Sequence, residues 1–324
     1  MHTDERHPRR HTFSTSLRRN RETVSRYLFL AALVLFAAIS TPRFTTKDGL
    51  TNIFGQVAPM GFVSLGMTFV ILTTGIDLSV GAVMSLTTTI LATVMIPGRP
   101  GSVFLALGTV VVASLVIGTT SGLLVAIMNF EPLIATLAVG TIVNGVTLLI
   151  LPYPGGFVPP MFTDIWLHRI GGVVPCGFVL FLVAVALAYC ILKYTTLGRR
   201  LYAVGGNETH SAVAGIPIRR VKFSAYVISA LFACISGIAL ASRMRSGDPL
   251  AGAPFTLTAV AATVVGGTTF SGGVGGVVGT FAGVMILGVL SVMLNIAGVS
   301  PFIKDMLTGV IIVITVIYAS YRRR

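Results

Sequence analysis

The charged residues of this chain stand at intervals, divided by nine runs of 16 to 55 residues that contain no Asp, Glu, Lys or Arg. The runs lie between Arg26 and Arg43, Asp48 and Asp77, Asp77 and Arg99, Arg99 and Glu131, Glu131 and Asp164, Arg169 and Lys193, Lys222 and Arg243, Asp248 and Lys304, and Asp305 and Arg322. A charged side chain at the bilayer centre costs about 2.5 to 3.5 kcal/mol on insertion scales, so this spacing suits a chain threaded repeatedly through a membrane. A spanning helix takes about 20 residues at about 1.5 Å each. The 55-residue run is too long for one pass and holds two, broken at 266–276, GGTTFSGGVGG, where six of eleven residues are glycine. The expected fold is an all-α polytopic bundle of about ten helices, near 27–40, 52–72, 78–95, 102–128, 133–151, 172–192, 223–241, 257–265, 277–297 and 303–321. The eighth is short for a span; it either reaches back to Pro254 or is re-entrant.

Composition agrees: 54% of residues are hydrophobic and 10% charged, against roughly 25% charged in a soluble domain. Too few polar side chains are present to cover a water-facing surface.

Lys and Arg set the direction. The segment 1–26 has seven arginines, 193–222 has six basic residues and 322–324 has three, together 16 of the 23. Ten passes put all three segments on one side, and the positive-inside rule makes that side the cytoplasm, with both termini in it. The expected organisation is a basic, disordered segment 1–26, a transmembrane domain 27–321 containing a cytoplasmic loop 193–222, and a basic tail 322–324. The net charge of +13 is read as topology and lipid attraction, not as nucleic-acid binding, since no nucleic-acid module accompanies it. The polar stretch before Tyr27 is long and no small-residue cleavage site precedes Arg43, so the first helix is expected to be retained.

No catalytic signature is found. Lys47, Lys193, Lys222 and Lys304 are followed by Asp, Tyr, Phe and Asp, so no Walker A motif exists and any ATPase is another chain. The run GGVGGVVG misses the dinucleotide fingerprint, and HExxH and Asp-rich cation sites are missing too. Cys176, Cys190 and Cys234 are scattered and read as small apolar helix residues. No metal site and no bound cofactor are expected. Gly118 and Gly122, and Gly275, Gly279 and Gly283, recur every four residues and read as faces for close helix packing.

Two loops stand out. In 152–171, four prolines surround Trp166, the only tryptophan, with Asp164, His168 and Arg169; an interfacial cap is the first reading and a ligand site the second. In 193–222, the glycines Gly205 and Gly206 permit a tight turn and Asn207 is a good N-cap. A short helix at 211–216 is closed by Gly215 ahead of Pro217. That loop is either a solvated connector or a docking element.

Polar residues within the apolar runs also have two readings each. Asp77 is expected at the inner end of the third helix, where it caps backbone N–H groups near Ser79 and Val80; alternatively Asp77 and Ser79 line a path and bond sugar hydroxyls. Glu131 reads as charge at a helix start. Asn144 either bridges helices or faces a substrate.

Four stretches, quoted as they stand, resemble the ribose-type (monosaccharide) ABC importer permeases. They are Gly205, Gly206, Asn207, Gly215 and Ile216 of the inside loop; GIDLSVG at 75–81; PLIATL at 132–137, which includes Thr136; and the glycine-rich 261–276. They occur in the family's order over roughly 45–320. Thr209 and His210 depart from an Ala-Ala pair usual in the family. The resemblance implies a coupling role for Gly205, Gly206, Asn207, Glu208, Gly215 and Ile216; Asp77, Ser79, Thr136 and Asn144 are the candidate path residues. It further implies a second permease chain, a cytoplasmic ATPase that uses ATP and Mg, a periplasmic sugar-binding protein, and location in a bacterial inner membrane. The rivals are an ion-coupled secondary transporter, which usually shows inverted repeats and intramembrane carboxylates, and a membrane-embedded enzyme.

Overall fold

The computed structural model describes residues 10–300 together with 302, 303, 306, 307, 309 and 310. Its elements are α1 (Arg10–Ser40), α2 (Lys47–Leu72), α3 (Val80–Val94), α4 (Pro100–Gly122), α5 (Pro132–Ile150), α6 (Pro160–Leu167), β1 (Arg169–Ile170), β2 (Val174–Pro175), α7 (Cys176–Tyr194), α8 (Thr196–Gly206), α9 (Glu208–Val213), α10 (Ile218–Met244), α11 (Ala253–Val265) and α12 (Val277–Ile296). A π turn at Leu123–Ile127 prolongs α4, and Asn129 follows it with φ of 57°.

Seven of these helices are long and apolar enough to cross a membrane: α1, α2, α4 with its π turn, α5, α7, α10 and α12. Between them lie two shorter apolar helices, α3 with 15 residues and α11 with 13. At about 1.5 Å per residue neither equals the roughly 30 Å of hydrocarbon. The eighth expected helix does reach back past Pro254, which occupies its first turn, where a missing N–H is harmless. The expected helix at 303–321 and the tail 322–324 lie outside the described residues.

α1 begins at Arg10, inside the segment 1–26 for which disorder is expected from the sequence. After Pro8 nothing in the sequence breaks a helix, and one anchored in the apolar 27–40 propagates back one hydrogen bond per residue.

α2 is the axis of the bundle. Every residue from Val57 to Leu72 is buried, and α10 runs beside it with buried Ala225, Tyr226, Ser229, Ala233 and Gly237. Lipid tails are as apolar as the core, so packing and hydrogen bonds rather than hydrophobicity join the helices. Thr68 bonds Thr280 of α12 at 2.7 Å, Ser236 of α10 donates to the Pro59 carbonyl at 2.6 Å, and Thr263 of α11 donates to the Ser64 carbonyl at 3.2 Å.

The glycine faces sort themselves by partner. Gly118 and Gly122 let α4 meet Ala230 and Phe223 of α10, and Gly279 and Gly283 let α12 meet the α11 backbone at Gly266 and Ala262. Gly275 does not share that helix face as expected: with φ of 117° it stands ahead of α12, and Gly276 follows at 141°, a conformation that stops a helix from starting before Val277. A Cβ at Gly283 falls 2.0 Å from the Ala262 carbonyl oxygen, backbone that cannot yield. Gly283→Val is therefore expected to destabilise at the upper end of the about 1–3 kcal/mol typical of overpacking, read as a lowered thermal midpoint in detergent. Gly108→Val on α4, where a Cβ meets nothing within 4 Å, leaves the midpoint unchanged.

Hydrogen bonds tie the loops into two groups, one at each end of α2. At its first end, Gly155 and Gly247 exchange backbone bonds of 2.9 and 2.8 Å, Phe157 donates to Ala92, and the ion pairs Arg245–Asp164 and Arg169–Asp48 span 3.3 and 3.1 Å. The segment 152–171 thus holds more order than expected: α6 starts with Pro at its first turn and β1 pairs with β2. The second end holds the loop between α7 and α10.

Candidate functional site

At this second end the four signature stretches converge on residues 72–79, the connection from α2 to α3. α8 leaves α7 through Thr195, whose hydroxyl accepts from the Gly198 N–H at 3.2 Å. It buries Leu201 and Val204 in the core, and this seats Gly205 on the end of α2. A Cβ at Gly205 falls 1.7 Å from the Leu72 carbonyl oxygen and 2.5 Å from the Gly273 nitrogen. Gly273 donates to that same Leu72 carbonyl at 3.0 Å, and the Tyr202 hydroxyl donates to Gly275 at 3.0 Å. Gly205 and Gly206 are thus not the tight turn expected of them. They end α8, and Gly205 is a contact between the loop, α2 and the glycine-rich segment.

α9 follows at once. Asn207 is its N-cap, the carboxamide oxygen accepting from the His210 N–H at 2.8 Å. The expected helix at 211–216 lies three residues earlier, at Glu208–Val213, because an Asn cap serves donors two or three residues on. Gly215, at φ of 74°, closes it, and the Ile216 N–H bonds back to Ser211 at 3.0 Å, the Schellman arrangement. Glu208 pairs with Lys222 at the start of α10, and Ser211 is buried. Thr209, His210, Ala212 and Ala214 face outward, with Val213 at 86% exposure. An anchored helix that presents small residues and one bare valine is suited to contact another chain.

The same connection joins to α5 and α10. The Thr136 hydroxyl accepts from the Leu78 N–H at 3.0 Å and lies 2.8 Å from the Pro132 carbonyl to which it donates. Asp77, 1% exposed, accepts on one carboxylate oxygen from the Ser79 N–H (3.0 Å) and Ser79 hydroxyl (2.6 Å), and on the other from the Ser229 hydroxyl of α10 (2.8 Å). Asp77, Ser79 and Thr136 are brought together. Asn144 is not: it sits eight residues beyond Thr136 on α5, about 12 Å along the axis, half-buried and with no hydrogen-bond partner among the described residues. Sequence reasoning missed Ser229 and Tyr202, each a polar residue with a partner more than 70 positions away. Among the described residues no group of three His, Cys, Asp or Glu could hold a metal ion.

At the opposite end a cavity of about 510 Å³ is lined by Asn52, Gly55, Pro59, Trp166 and Arg243, among others.

Seven apolar spans and an anchored, outward-facing helix at one end describe a multi-pass membrane protein. Residues 49–316 match the family described as branched-chain amino acid transport system / permease component, and the chain belongs to that family. Among its relatives, the ribose import permease protein RbsC of Bacillus subtilis (strain 168) is 37% identical over 295 residues, covering 90% of each chain. The ribose import permease protein RbsC of Escherichia coli (strain K12) is 36% identical, covering 89% of this chain and 91% of its own. The D-allose transport system permease protein AlsC of the same strain is 30% identical over 90% of this chain and 89% of its own. The resemblance carried by the motifs is thereby borne out. No solved structure matches the chain.

Proposed function

We propose that this chain is the membrane-spanning permease subunit of an ATP-binding-cassette importer for a monosaccharide or related polyol, working by alternating access in a bacterial inner membrane. The reading rests on the seating of α8 and α9: Gly205 lies against the Leu72 carbonyl, so a push on α9 is delivered to the end of the axial helix and, within a few residues, to Asp77. The names of the relatives, which specify ribose and D-allose, support the sugar class.

On this reading ten helices cross the bilayer and both termini lie in the cytoplasm, as the Lys and Arg distribution requires. A cytoplasmic ATPase grips α9, hydrolyses ATP with Mg and closes. A periplasmic sugar-binding protein delivers cargo to the other face, and a second permease chain, identical or paralogous, completes the path. This subunit binds no cofactor and makes no bond itself.

Replacing residues 205–216 by a Gly/Ser linker in the reconstituted importer is expected to abolish ATP-driven uptake while the ATPase subunit, assayed alone, keeps its hydrolysis rate. Uptake that survives the replacement refutes the coupling assignment. The cargo is identified by the thermal shift of the cognate binding protein across D-ribose, D-allose and L-arabinose.

A further inference from the structure

The cavity at the end of α2 opposite α9 has the chemistry of a carbohydrate site. Its volume, about 510 Å³, falls in the range of about 300–1,000 Å³ usual for small-molecule pockets. Trp166 forms one wall. Its ring is packed against Gly177, where a Cβ would meet the indole at 3.2 Å, and against Phe62, edge-on at 6.3 Å. Such a ring presents a rigid apolar plate with a polar edge. Arg243, in the last turn of α10, lines the same cavity. The neighbouring cations Arg245 and Arg169 are paired with Asp164 and Asp48. Arg243 has no partner among the described residues, and neither does the Trp166 indole N–H.

Acceptors line the same cavity. Pro59, in the wall formed by α2, has no N–H, so the Gly55 carbonyl one turn earlier loses its helical donor. Gly55 itself lines the cavity and leaves it open: a Cβ built there meets nothing within 4 Å. Asn52 adds an amide with both a donor and an acceptor. An inorganic anion uses the donors of Arg243, Trp166 and Asn52 but neither the Gly55 carbonyl nor the apolar face of the indole. A neutral polyhydroxyl ring uses all of it: C–H face on the indole, hydroxyls as donors to Gly55 and Asn52, hydroxyls as acceptors from Arg243 and Trp166.

We infer that this cavity is an entry subsite at which the permease itself holds the incoming monosaccharide between Trp166 and Arg243. The inference rests on the importer reading above and adds a site to it.

Trp166 is the only tryptophan of the chain, so its fluorescence reports the site without labelling. Uptake is first measured in proteoliposomes holding the whole importer with D-ribose, D-allose or L-arabinose. The sugar taken up is then titrated onto the full permease chain in nanodiscs. A saturable change in emission is expected, half-complete at a concentration on the order of 1 mM, and weakened at least about tenfold by Arg243→Gln, a loss of about 1.4 kcal/mol. Gly55→Leu, which fills open space, is expected to abolish the change and to lower turnover at saturating sugar at least about tenfold. Uptake of none of the three sugars removes the importer reading and this site with it. Uptake of one of them together with a silent Trp166, a response to inorganic phosphate but not to sugar, or wild-type turnover in Gly55→Leu overturns the site and leaves the importer reading standing.

Discussion

Gly205→Val uncouples the importer, whereas Gly206→Val leaves it close to wild type. The two glycines are adjacent and equally small, but their surroundings differ. A Cβ at Gly205 lands on the Leu72 carbonyl oxygen and against the Gly273 nitrogen, at 1.7 and 2.5 Å. At Gly206 it meets nothing within 4 Å. Backbone atoms cannot step aside as a side-chain tip does, so the valine lifts α8 off α2 at a cost near the top of the about 1–3 kcal/mol range for overpacking. Lifting α8 also opens the contact that the Leu72 carbonyl makes with Gly273. On the proposed coupling, the thrust from α9 then ends in a gap. ATP-driven uptake is expected to fall more than about tenfold in Gly205→Val and to stay within about twofold in Gly206→Val. Equal losses in the two variants mean that the glycine pair serves flexibility and not contact.

That contrast also marks where sequence reading stops. Charge-free runs located the membrane helices because the penalty for a buried charge acts at each residue separately. Residues 52–72, expected to be helical from the sequence, sit inside the observed Lys47–Leu72, and the expected start of 277–297 coincides with Val277. Caps were legible for the same reason, since Asn207 and Gly215 act within their own turn. The role of Gly205 was not, because two consecutive glycines look like a hinge until Leu72, 133 positions away, is seen against them. The segment 152–171 carried a readable signal among its four prolines: Pro160 opens α6, a position at which a missing N–H costs nothing. Of the polar residues picked out in the apolar runs, Asp77, Ser79 and Thr136 proved to share one connection, and Asn144 did not.

Asp77 was expected to cap Ser79, and the Ser79 N–H does bond to it; the bond from Ser229 was beyond any local signal. These bonds predict different outcomes for two small substitutions. Asp77→Ala leaves the Ser79 N–H and the hydroxyls of Ser79 and Ser229 buried without their acceptor, at about 1–3 kcal/mol for each that finds no other. The hydroxyls can turn; the backbone N–H cannot. Asp77→Ala is therefore expected to lose about 1–3 kcal/mol for that N–H and to show a lower thermal midpoint than Asp77→Asn. Asp77→Asn keeps an oxygen for Ser79, and its amide can donate to the Ser229 oxygen once that hydroxyl turns its proton to the Ala225 carbonyl four residues back, as helical serines do. The exchange of charged for neutral hydrogen bonds costs about 1 kcal/mol, so Asp77→Asn is expected to fold and to transport within about threefold of wild type. Thermal midpoint and sugar uptake, measured on the same proteoliposomes, separate the alternatives. A well-folded Asp77→Asn without uptake assigns the negative charge to translocation itself. Retained uptake makes Asp77 a knot that holds the end of α2 to α10, the point through which movement of α8 must pass to reach the rest of the bundle.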